Sequence, residues 1–482
     1  MQRVQNLLSV FMRNSLKIML AILIISSFKI VLSGNFYVEN LFTVIMFLFI
    51  SIGFKFLLKT KNKNLIIYIL ILGFITRVVW NLKVDTLPYS DFQGMFEKSE
   101  YVLNGDYSMF KGSEYYGRFP HLTILVLYFS AIRLLFSDAL LAIKSINILL
   151  GIASIVFTYL IVKKLFDSDR KGLIAAFIAS VYPPFIIYSS IVVGENIAIT
   201  FFLGSMYLFL CFIKDKSKIS ILILSGIILS IGNLFRMVGT ILLIAYAIYI
   251  VIYSENKIKK KMINVFTLIL AFYIPLVTIS SGLKYSGITE FNLWKGSEPK
   301  WTSVLKGTNI EHNGRWNEED AEIPDKYNYD YEKVEKAAKE IVFERLTTTP
   351  TPELAKFYMN KFSNQWTDGD FSGIYWATEA RAEKGEDVSF AYYMELYSDI
   401  LHLLLLVSLM IGLFSKSTKT NRELNLLFIL FGGFIMQCLI SETQERYAYI
   451  ASWIFIILPC SLNLSEIKSF KLREKNLRDI KA

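Results

Sequence analysis

KISILILSGIILSIGNLFRMVGTILLIAYAIYIVIYS, residues 218–254, decides the architecture. It holds two apolar runs, at about 218–235 and 238–254, parted by a short NLFRMVG break with Arg236 as its one charge. A helix rising about 1.5 Å per residue needs roughly 20 apolar residues to cross the hydrocarbon of a bilayer. Neither run alternates with the period of two that marks a half-exposed strand. In lipid only helices and closed barrels satisfy every backbone group, so these runs are helices.

Working outward, runs of the same kind recur near 16–33, 37–58, 64–81, 139–162, 172–190, 196–213, 262–281, 399–414, 423–440 and 447–464. The chain of 482 residues is 54% hydrophobic and 19% charged, against about a quarter charged for a soluble domain. The run at 16–33 resembles a signal sequence, but it is long for one and lacks an A-x-A exit, so it reads as a membrane helix. The net charge of +10 does not point to nucleic acid, because the excess lies in short loops and tails between apolar runs. Cys211, Cys438 and Cys460 fall within apolar runs and suggest no disulfide framework, and His121, His312 and His402 form no metal-ligand spacing.

The loops set the order. KTKNKN (59–64), KKLFDSDRKG (163–172), KDKSK (214–218), ENKIKKK (255–261), SKSTKTNR (415–422) and the tail 468–482 are all basic. Placing them in the cytoplasm gives about twelve crossings with both termini inside. Glu39, Asp91, Glu195, Glu442 and the long 282–398 segment then face outward. Residues 119–136, FPHLTILVLYFSAIRLLF, would invert every later loop if they crossed. They are expected to lie in the outer interface, or to dip in and return, with Arg133 reaching the headgroups; otherwise this helix spans and another segment does not.

The expected organisation is an all-α polytopic membrane protein with interfacial helices. Two helices occupy 1–63, a transmembrane core 64–281 with a first outer loop at 82–138, and a small extracytoplasmic domain 282–398. C-terminal helices (399–464) and a basic cytoplasmic tail (465–482) complete it. Within the outer domain, YEKVEKAAKEIVFERL and ELAKFYMNKFSNQW read as two helices.

In this topology the ionisable groups gather outside, where a charge near lipid must find water or a partner. Asp85 and Asp91 follow the third helix, Glu195 sits between two apolar helices, and Arg236 ends another. Glu442, Glu445 and Arg446 occupy the turn SETQERYAY. Each has a plainer reading. Asp91 suits the N-cap of a helix starting at Phe92, the arginines could snorkel to headgroups, and the Glu–Arg turn could be an internal ion pair. Their convergence suits lipid phosphate: arginines bind its oxygens and stabilise the charge that leaves, while a carboxylate orients and deprotonates an acceptor hydroxyl.

Three segments carry a family resemblance. ITRVVWNLKVDTLPYSDF with the following EKSEYVLNGDY, then KKLFDSDRKGLIAAFIASVYPPFIIYSSIVVGEN with NLFRMVG, and finally ETQERYAYIASWIFII together resemble the GT-C superfamily of membrane glycosyltransferases. Closest in pattern are bacterial protein O-mannosyltransferase-like enzymes and the aminoarabinose transferases acting on lipid A. The resemblance covers about 64–260 and 423–464 and implies a GT-C-like fold. It also implies transfer of a sugar from a polyprenyl-phosphate donor to an outer protein or cell-envelope glycan, with inversion, at the plasma membrane.

Carried over residue by residue, it makes Asp91 the base or acceptor orienter and Glu195 the second acid. Arg236 and Arg446 become donor-phosphate ligands, with Glu442 positioning Arg446. Beyond the carried-over residues, Asp85 and His121 are expected to touch substrate, as are Asn309 and Arg315 in a contact loop of the outer domain, GTNIEHNGRWNEED (307–320). No metal ligand is assigned; without an adjacent D-x-D in the first loop, the metal-dependent oligosaccharyltransferase branch is the more distant relative, though a divalent ion stays open. Chain departures include Met237 after Arg236, where a Pro is common, and FPH where a Pro-Pro pair often stands. Two other classes compete: a surface polysaccharide polymerase or ligase, and a lipid-linked sugar flippase or transporter.

Overall fold

The computed structural model describes residues 2–33, 39–60, 64–215 and 218–462. The expected tail 465–482 and parts of two basic loops lie outside them. Seventeen helices organise the rest. The first six are α1 Gln2–Ser33, α2 Glu39–Lys59, α3 Leu65–Val84, α4 Ser90–Leu103, α5 Thr123–Leu135 and α6 Ala139–Phe166. Next come α7 Asp169–Val181, α8 Gly194–Lys214, α9 Ile219–Phe235, α10 Gly239–Tyr253 and α11 Ile258–Tyr285. The 282–398 segment, named the outer segment for the side on which it is expected, holds α12 Trp301–Gly307, α13 Tyr331–Thr348, α14 Thr351–Thr367 and α15 Gly373–Ala382, and α16 Ser389–Gly412 and α17 Leu424–Ile440 follow.

Seven of these, α1, α2, α3, α6, α8, α11 and α16, are long and apolar enough to cross a membrane. The protein is an all-α, multi-pass membrane protein. The run expected at 172–190 is a broken span: α7 ends at Val181, the chain restarts at Pro183, and the two pieces differ in direction by 58°. Pro183 and Pro184 supply the cause, since neither has an N–H to continue the preceding helix. The run expected as a helix at 447–464 is instead wound mostly as 3-10 helix, over Glu445–Ala451 and Leu458–Ser461, with one α turn at Ile454–Ile457. At about 2 Å rise per residue, 3-10 winding lets so short a segment approach the depth of a bilayer. It is buried on all sides from Ala448 to Ser461.

Residues 108–118 and 120–135 meet at 111°. The 13 residues of α5 reach about 20 Å, short of a crossing alone, but with the bent preceding piece they are apolar enough for a broken span or a re-entrant loop. Arg133, however, does not extend toward headgroups. Its Nε donates to Ser99 Oγ at 2.8 Å and its Nη2 to the Phe96 carbonyl at 3.0 Å, with the guanidinium 4.0 Å over the Phe96 ring. It clamps α4 onto α5. Helix α16 begins ten residues before the expected 399, because Asp399 turns inward and accepts the Gly369 N–H at 3.0 Å. A charge that reads as a loop in sequence is thus an inward-facing helical residue. The two N-terminal helices pack against α16.

The links between helices set the depth of the site. Helices α10 (15 residues) and α11 (28 residues) pack together, joined by a short link at 254–257. At 1.5 Å per residue, the far end of α10 stops about 20 Å short of the far end of α11. That far end is the 236–238 turn, so Arg236 lies in a recess. Helix α17, only 17 residues long, packs on α10 and ends just before Glu442.

The outer segment has its own small core of Leu305, Ile323, Val334, Ala338 and Val342. Its buried anchor is Asp320, 2% exposed, paired with Arg345 at 2.8 Å and accepting the Asn309 and Asn317 amides at 3.0 Å. Burial opposes the carboxylate, but Arg345 and the two amides outweigh it and hold its pKa below the usual value. Asp320→Ala should therefore destabilise this unit by about 2 kcal/mol, since it strands a half-buried cation and the buried Asn309 and Asn317 amides. Because the folded pKa is depressed, the pair's contribution is present above the unfolded pKa and lost as pH falls through the folded one. Thermal melts of wild type and variant from neutral to acid pH should converge; a constant gap would refute the assignment.

Candidate active site

Four chain segments converge above the recess. The first is the N-terminus of α4. Ser90 takes a positive φ of 52°, and the helix begins there rather than at Phe92, with Tyr89 at the cap and no side-chain capping bond. Asp91 is therefore not the cap. It lies in the first turn, exposed, beside the Tyr115 phenol, where the helix N-terminus favours negative charge.

The second and third segments meet back to back. A Cβ on Gly194 would sit 2.5 Å from the Phe235 carbonyl, so only glycine lets the start of α8 touch the end of α9. That contact brings Glu195, 4% exposed, to 3.3 Å from Arg236. His121 lies near the same pair. Burial first, then the charges of Arg236 and Lys300, push its pKa down to about 4, so it stays neutral at physiological pH.

The fourth segment is the turn after α17. Arg446 is 6% exposed, yet its Nε and Nη1 have no hydrogen-bond partner among the described residues. Its guanidinium lies 4.3 Å from the Trp376 ring and 4.7 Å from the Phe92 ring. Asp91, Glu195 and Tyr188 are near enough to act on its charge. An arginine held between aromatic faces with its edge donors unspent is a preorganised anion site.

Glu442 does not pair with Arg446. Its carboxylate accepts the Tyr447 hydroxyl at 3.2 Å and faces Lys306 of the outer segment at 3.9 Å. The outer segment is seated here by Lys361, whose Nζ donates to the carbonyls of Gly307, Leu439 and Ser441 at 2.6 to 3.0 Å. Above the bundle, Tyr188 stacks on Tyr449 at 3.7 Å and donates to the Phe371 carbonyl, fixing the turn that leads into α15 and Trp376.

Asp91, Glu195, Arg236, Arg446, Glu442 and His121 thus share one neighbourhood. The other candidates are engaged elsewhere. Asp85 ends α3 and is bound by Lys144 at 3.0 Å and by Arg381 of α15. Asn309 serves the Asp320 anchor and accepts the His312 N–H at 3.1 Å. Arg315 pairs with Glu445, next to Arg446 but directed away from it into the 307–316 loop. Sequence reasoning missed Tyr115, Lys306, Trp376 and Tyr447. Tyr447 had a signal in its adjacency to Arg446; Trp376 had none, since it joins the site only through the folding of the outer segment. Among the described residues no three His, Cys, Asp or Glu side chains are placed to hold a metal ion.

The fold defines a polytopic helical membrane protein, and part of its core is similar in sequence to a family of membrane mannosyltransferases. Residues 123–279, about a third of the chain, match the family described as dolichyl-phosphate-mannose-protein mannosyltransferase. The match runs from α5 to α11 and includes Glu195 and Arg236. Similar solved structures include the oligosaccharyltransferase of Archaeoglobus fulgidus in its apo form, at 12% identity and a TM-score of 0.49, covering 88% of this chain and 52% of that one. The same archaeal enzyme tethered to an acceptor peptide containing the NVT sequon aligns at 13% identity and a TM-score of 0.47, over 83% and 49%. With an inhibitory peptide and a dolichol-phosphate it aligns at 14% and 0.45, over 86% and 51%. The chain spans about half the length of that protein. A comparison with curated proteins found no match.

Proposed function

We propose that this protein transfers a sugar from a polyprenyl-phosphate-linked donor to a hydroxyl of an extracytoplasmic protein or cell-envelope glycan. The acceptor oxygen attacks the anomeric carbon as the bond to the phosphate oxygen breaks, inverting the centre. Asp91 takes the acceptor proton, Glu195 orients the reacting sugar through Arg236, and the departing phosphate keeps the electron pair and rests on Arg446 and Arg236. The prenyl chain would lie beside the short helices α9, α10 and α17, at the depth of the outer leaflet. Both termini then face the cytoplasm of a plasma-membrane protein. One observation supports this above the others: Arg446, buried and, among the described residues, in no ion pair with a carboxylate, has two unused donors within electrostatic reach of Asp91 and Glu195.

The test compares membranes and surface glycans, by mass spectrometry, from cells with and without the protein. Loss should remove one sugar from an envelope polymer or protein and raise the pool of its polyprenyl-phosphate form. If neither pool changes, the reading is wrong.

A further inference from the structure

We infer that Tyr447 is a positioning residue whose ring holds the two phosphate-directed arginines in register, a role that rests on the glycosyl-transfer reading above. Arg236 and Arg446 come from segments more than 200 residues apart and carry like charge. Among the described residues no carboxylate forms an ion pair with Arg446 to fix its place. Tyr447 stands between them, with the Arg236 guanidinium 5.3 Å from its ring centroid and that of Arg446 5.4 Å away. A ring quadrupole attracts a cation over its face and repels one at its edge, so a single ring approached by both guanidiniums over its π surface can hold them without neutralising either. Arg236 keeps its ion pair with Glu195 at 3.3 Å, while the ring gives Arg446 a hold that leaves its donors open to phosphate oxygens.

The hydroxyl extends the connection. Tyr447 donates to Glu442 at 3.2 Å, and Glu442 also accepts the Gln444 amide at 3.4 Å and faces Lys306 on α12. The Glu442 N–H in turn donates to the Ser303 carbonyl of α12 at 2.8 Å. The sequence-based role for Glu442, positioning Arg446, is thus carried one residue further: Glu442 orients the phenol, and the ring orients the arginines. The ring is the working part and the hydroxyl its tether.

Full-length protein in nanodiscs separates these parts with Tyr447→Phe and Tyr447→Met. Binding of geranyl phosphate, a short-chain lipid phosphate, is measured by calorimetry, and donor KM and kcat by transfer assay. The Phe variant should bind geranyl phosphate within about threefold of wild type, whereas the Met variant, similar in bulk but ringless, should bind on the order of tenfold more weakly. Its donor KM should rise by the same factor, with a smaller change in kcat. Wild-type binding by the Met variant would overturn the assignment. So would loss of binding in the Phe variant, which would place the role in the hydroxyl; that variant keeps the shape of the site and guards against a Met variant that does not fold. A wild type that neither binds geranyl phosphate nor transfers sugar overturns the proposed function instead, whatever residue 447 is.

Discussion

Replacing Arg446 with methionine is expected to lower the rate of sugar transfer about 10²- to 10³-fold, the usual cost of losing a preorganised group that stabilises developing charge. The same substitution should leave the melting temperature unchanged or raise it. Arg446 is 6% exposed and leaves Nε and Nη1 unpartnered, so the folded protein bears the desolvation of a cation with incomplete compensation. Methionine fills much of the same space against Phe92 and Trp376 without that cost. An arginine kept only to hold the fold would behave in the opposite way, melting lower while activity survived. Activity and melting temperature measured on one preparation therefore distinguish a substrate ligand from a structural cation. Arg446→Lys should recover only part of the activity, because lysine keeps the charge but not the planar pair of donors.

Asp91→Asn should lower kcat by about 10²- to 10⁴-fold, the range associated with loss of a general base. Donor binding should hardly change, since the phosphate rests on the arginines. Stability should change little. The structure gives Asp91 no capping bond, and the helix starts at Ser90 whether or not residue 91 is charged. That separates it from Asp85, which is tied to Lys144 and Arg381, and where Asn should act mainly on the joint between α3 and α15. The decisive readout is transfer rate at saturating donor, together with a geranyl phosphate titration. Full activity in Asp91→Asn would exclude it as the base and leave Glu195 as the nearer candidate.

The gathering of the site was visible in part. Asp91, Glu195, Arg236 and Arg446 stood out because a charge at the edge of an apolar run costs free energy unless something needs it. The same rule picked out Asp85, which the structure ties to Lys144 and Arg381. A side chain satisfied by an internal partner looks identical in sequence to one awaiting a ligand. Partners such as Ser99 for Arg133, Lys144 for Asp85 and Asp320 for Asn309 become neighbours only when helices pack. Trp376 was invisible for a related reason, since its place over Arg446 depends on the turn at 368–372 that the Tyr188–Phe371 bond fixes.

The apolar runs of 218–254 and their repeats settled by themselves that the chain is helical and crosses a membrane many times. Burial in lipid leaves the backbone no other way to satisfy its hydrogen bonds, and that requirement is local. Sequence also marked the break at Arg236. The depth of that break needed the tertiary structure. Only the packing of the short α10 against the long α11 sets Arg236 about 20 Å below the end of its neighbour. Packing also decided that 172–190 bends at its prolines and that 447–464 is wound largely as 3-10 helix. Hydropathy counts apolar residues but does not measure rise, bend or register, which are fixed by the side chains that each helix meets.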